Sequence, residues 1–174
     1  VLPNLLGKTL PSEFHKLGNF TMSGLVKITP EQMEATLNVD SEIGTTISDL
    51  QLTNIDNIDE AAYVGEIEFK DFDIGVFAND PLLGKISLRA DVNGSGFNID
   101  NINTTIIGKV SSLEFKEYEY KDLNVNGQFQ NKKFDGFLSA EDENFKMKFE
   151  GLADFSSLVH NFNFEACLLY TSPS

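Results

Sequence analysis

Apolar and polar residues alternate along most of this chain with a period of two, the signature of strands with one dry and one wet face. Phe20, Met22, Gly24, Val26 and Ile28 follow this rhythm, broken only by Leu25, as do Ala35, Leu37 and Val39. Ile86, Leu88, Ala90 and Val92 are interleaved with Ser87, Arg89, Asp91 and Asn93. The rhythm resumes at Leu113 and Phe115, at Tyr118 and Tyr120, and through Leu123, Val125, Gly127 and Phe129. Phe145, Met147 and Phe149 alternate with Lys146, Lys148 and Glu150. A helix would place its apolar residues three and four apart, and most of the chain does not.

Turn chemistry separates these runs. Asn93-Gly94-Ser95-Gly96 and Asn131-Lys132-Lys133 read as turns. Asn126-Gly127 reads equally as a turn or as a bulge or close backbone approach, because the alternation continues through the glycine. Two or three short helical pieces are expected, from the candidates at residues 11–17, residues 30–34, and residues 73–79 with Asp73 as cap and Pro81 as stop. A glycine recurs ahead of a strand, two residues before an apolar position, at Gly24, Gly65, Gly84, Gly108, Gly127 and Gly151. The spacing is about 20 residues or its double, as in a unit that stacks on its neighbours. The fold class expected is all-β: an extended, curved antiparallel sheet, folded over into a groove, with one to three helical turns.

Composition narrows the function classes. The 174 residues carry 15 Phe, no Trp, 13 Gly and 5 Pro, which suits many short strands. The net charge of −14 argues against nucleic acid as a partner, since that contact needs clustered Lys and Arg. No apolar run approaches the ~20 residues of a spanning helix. The lone Cys167 cannot form an internal disulfide. It lies in residues 166–174 (ACLLYTSPS), where the pattern stops. That stretch reads as a non-native tail behind a single section spanning residues 1–165.

No catalytic constellation emerges, so the chain is expected not to be an enzyme and to need no cofactor. His15 and His160 have no nucleophile beside them. The run from Asp91 to Gly96 fits the first half of a calcium loop, but its twelfth position is Ile102 rather than Glu. No metal ligands are therefore assigned. What remains is the apolar face, which suits a closed core and a lipid-lined groove equally well by pattern.

A resemblance favours the groove. The run Phe72-Asp73-Ile74-Gly75-Val76-Phe77, followed by Asp80-Pro81-Leu82-Leu83-Gly84-Lys85-Ile86 and on to Phe97, resembles the TamB/AsmA-like family. So do Ile107–Val110, Leu113–Phe115, Tyr118–Gly127, Phe134–Gly136 and Phe149–Asp154. The likeness extends over roughly residues 3–165. It implies a section of an inner-membrane-anchored protein that crosses the periplasm as a hydrophobic β-groove. Such a groove conducts phospholipids toward the outer membrane. It also supports outer-membrane protein assembly with a barrel partner, through regions this chain does not include. The partners implied are phospholipid acyl chains, and the expected lining is Ile86, Leu88, Ala90, Val92, Leu113, Phe115, Leu123, Val125, Phe129, Phe145, Met147 and Phe149. Two rivals stand beside it: an assembly scaffold that uses open strand edges, and an unrelated β-sandwich adhesin or carbohydrate-binding module.

Overall fold

The computed structural model describes residues 12–55, 60–97, 100–141, 145–156 and 161–170. A 3-10 helix at Ser12–Leu17 leads into the strands. They are β1 (Phe20–Ile28), β2 (Gln32–Ser41), β3 (Gly44–Thr53), β4 (Ala62–Asp73), β5 (Leu83–Ser95), β6 (Asn103–Phe115), β7 (Tyr118–Gln130), β8 (Lys133–Glu141), β9 (Phe145–Asp154) and β10 (Asn161–Tyr170), with helix α1 (Ile74–Ala78) between β4 and β5. All ten strands form one antiparallel sheet in sequence order. The all-β, open-sheet expectation is met, and the two-sheet sandwich rival is not.

The hairpins explain the order. Ser41 pairs with Gly44, Phe115 with Tyr118 and Gln130 with Lys133, leaving two-residue turns. Asn131 (φ 53°) with Lys132 (φ 60°), and Lys116 (51°) with Glu117 (64°), adopt the left-handed backbone that such turns demand. Asp73 caps α1 by accepting the Val76 N–H at 2.9 Å, and Asn79 ends it in left-handed geometry. Two of the three candidate helical pieces are therefore present. The third is not: residues 30–31 turn and Gln32 already begins β2. There Thr29 Oγ1 accepts the Gln32 N–H at 3.2 Å, closing a tight turn that leaves no room for helix.

Two other expectations are corrected. Asn93, Gly94 and Ser95 lie inside β5, paired with Thr105, Thr104 and Asn103, so the chain turns only beyond Gly96. The recurring glycines mostly lie within strands rather than ahead of them. Gly65 faces Val92, Gly108 faces Ala90, and Gly127 faces Gly136, which faces Gly151. They make room for neighbouring backbones, which is the close approach read as one alternative at Gly127. At Gly65 (φ 149°) a Cβ would collide with the Asp49 carbonyl. The β10 ladder continues through Ala166 to Tyr170, opposite Phe149 to Phe145. Five residues of the stretch read as a tail are thus paired, and residues 171–174 lie outside those described.

The two faces differ in kind. The polar face is laced by cross-strand contacts. Arg89 Nε donates to Glu66 Oε2 at 3.0 Å, Thr36 Oγ1 to Asp49 Oδ1 at 3.1 Å, and Gln128 Nε2 to Asn103 Oδ1 at 2.7 Å. The Glu66 carboxylate raises the pKa of the Arg89 guanidinium. The other face is apolar from β1 to β8 and carries the core.

Candidate apolar groove

Register aligns the apolar face strand by strand. Phe69, Leu88, Val110, Leu123 and Ala140 form one row across β4 to β8. Phe72, Ile86, Leu113 and Tyr120 form the next. Between these rows β4, β6 and β7 step by three residues rather than two, with Asp71 (φ 48°) and Asp122 (φ 53°) in left-handed backbone. Such bulges bend and twist the strands that contain them. They line up across the sheet on either side of β5, an arrangement that favours coiling of the sheet around its apolar face.

Burial shows the result. Ala90, Val110 and Leu123 are 2 to 3% exposed, although among the described residues no second sheet covers them. They join Leu17, Phe72, Ile86, Leu88, Val125 and Ala140 in one cluster. A second cluster, Ala35, Leu52, Tyr63 and Val92, lies toward the other strand ends, and Ile106 packs against both. The two helices close one end of the coiled face. Leu17 inserts into the main cluster, the Leu17 carbonyl accepts the Glu42 N–H at 3.1 Å, and Lys16 Nζ donates to the Phe77 carbonyl at 2.6 Å.

The expected lining divides accordingly. All nine described positions share the apolar face. Ile86, Leu88, Ala90, Val92, Leu123 and Val125 are buried, which makes them core covered by their neighbours. Leu113 is half-buried against the main cluster, and Phe115 and Phe129 are half-buried on the same face. The backbones of Phe145, Met147 and Phe149 pair within β9, and their side chains lie outside the described set.

Accessible apolar surface is found where sequence reasoning did not place the site. On β1, Phe20 is 39%, Met22 57%, Val26 47% and Ile28 41% exposed. These four continue the buried face, since they oppose Ser41, Val39, Ala35 and Met33 on β2. Their alternation was plain in the sequence, but nothing in it shows that β1 would be an edge. Among the described residues the opposite face exposes fewer large apolar side chains, Leu25 on β1 and the pair Val64 and Ile107 around one shallow depression.

Among the described residues no group of three or more His, Cys, Asp or Glu is placed to hold a metal ion, and no helix is long and apolar enough to cross a membrane. His15 is exposed on the 3-10 helix, and His160 lies outside the described residues. Among the described residues Tyr63 is the one buried phenol with a perturbed pKa. Burial pushes it up, and a hydrogen bond with Thr104 partly offsets this. Compared with protein-family models, curated proteins and solved structures, the chain finds no match.

Proposed function

We propose that this chain is a section of a periplasmic hydrophobic β-groove of the TamB/AsmA-like kind, which carries phospholipid acyl chains toward the outer membrane. One observation supports the reading above the others. A single-layer sheet keeps one apolar face across β1 to β8, and that face reaches solvent at Phe20, Met22, Val26 and Ile28. An acyl chain laid on such a surface gains about 0.8 kcal/mol per buried methylene, and no catalytic group or cofactor is required. Support for outer-membrane protein assembly would come from the same array acting with a barrel partner through regions beyond this chain.

Within that reading, the exposed positions support a contact site at the sheet edge. Acyl chains would meet β1 and the half-buried rim rather than Leu88, Ala90 or Leu123. Native mass spectrometry of the chain incubated with phosphatidylethanolamine vesicles tests this. Bound phospholipid is expected, and the Met22→Asp/Val26→Asp double variant should lose it while keeping its circular dichroism spectrum. A chain that stays lipid-free, or a double variant that binds as well as the parent, would overturn the proposal.

A further inference from the structure

β1 has an unusual edge. Its register with β2 runs unbroken from Phe20↔Ser41 to Ile28↔Met33, and all nine of its residues are exposed. Natural edges are blunted by charge, proline or a bulge. β1 has no proline and no bulge, and its one charge, Lys27, is tied to Glu34 at 3.3 Å. At the β1–β2 turn the Thr29 N–H donates to the Gln32 carbonyl at 2.9 Å. Counting back in twos, the odd-numbered residues of β1 bond β2, and the even-numbered ones turn N–H and C=O to the open side.

We infer that β1 is a docking edge for a second copy of this chain, joined by antiparallel β1–β1 pairing about a two-fold axis at Gly24. In that register Phe20 meets Ile28 of the other copy, Met22 meets Val26, and Gly24 meets Gly24. Every outward N–H and C=O then finds a partner, about ten hydrogen bonds in all. Even pairs with even, so the two apolar faces fall on the same side and merge into one. Charge points to the same occupant. The chain carries −14, and two copies repel across most surfaces, whereas β1 carries only Lys27, which falls opposite Thr21. A C2 interface requires such a self-complementary patch. This inference rests on the edge and does not depend on lipid binding.

Sedimentation equilibrium on the full chain over a broad concentration range, with amide hydrogen exchange on the same samples, tests it. The expected mass at high concentration is twice the 19.3 kDa of one chain. The amides of Met22, Gly24, Val26 and Ile28 should gain protection only as the dimer forms. Val26→Pro removes one outward donor and should return the chain to monomer, with exchange in β5 to β7 unchanged. Should that variant lose its fold, Met22→Lys supplies the same comparison through charge. A chain that is monomeric throughout overturns the inference. So does a dimer whose even-numbered β1 amides exchange freely, or protection of those amides in the monomer, which would mean that another segment of the chain covers the edge.

Discussion

Truncating Leu123 separates a filled core from an empty trough. Leu123 is 2% exposed, on β7 between Val110 and Ala140. Leu123→Ala removes three carbons, about 2.4 kcal/mol at 0.8 per methylene. The residual cavity brings the cost to about 3 kcal/mol. Met22→Ala also shortens an apolar side chain on the same face, but Met22 is 57% exposed, so its cost is about 1 kcal/mol. Urea unfolding of the lipid-free chain, followed by far-ultraviolet circular dichroism, measures both. The midpoint should fall roughly three times as far for Leu123→Ala, with the slope unchanged. Equal midpoints for the two variants would refute the reasoning, because they would mean that the β5–β7 face is no more covered than the edge.

Three further outcomes follow from particular contacts. Gly65→Ala should cost about 3 kcal/mol in the same assay, since a Cβ at φ 149° meets the Asp49 backbone. Hydrogen bonds from the Ser156 hydroxyl and N–H, reinforced by Lys133, hold the Asp154 carboxyl at about 2. Its folded pKa lies below the unfolded 3.8, so its contribution is present above pH 4 and is lost as the pH falls toward 2. A carbon-detected NMR titration of Ser156→Ala should show that pKa rising toward 3.8. Finally, if acyl chains bind, the net charge of −14 should favour zwitterionic over anionic phospholipid at low ionic strength, and salt should narrow the gap in a vesicle competition assay.

The alternation at Ile86–Val92 and Leu123–Phe129 revealed strands and faces, because a period of two is a direct image of the pleat. Its phase slips between Val110 and Leu113, and between Tyr120 and Leu123, mark the bulges that coil the sheet. The hairpin at Lys116-Glu117 was invisible, since neither residue favours positive φ and cross-strand pairing imposes it. Asn93-Gly94 misled for the opposite reason: turn-forming residues were drawn into β5 by its partners in β4 and β6. The apolar face was legible, but the division between core and accessible surface was not. Leu88 and Met22 look alike in sequence, and only strand order makes one interior and the other an edge.

The most direct test of the apolar groove is to ask which methyl groups an acyl chain touches. Phosphatidylethanolamine carrying a nitroxide near the end of one acyl chain, added to methyl-labelled protein, broadens the resonances close to it. Met22, Val26 and Ile28 should broaden strongly, Leu123 and Ala90 should stay sharp, and Val64 and Ile107 on the polar face should be unaffected. Broadening spread evenly over both faces, or none at all, would contradict the account.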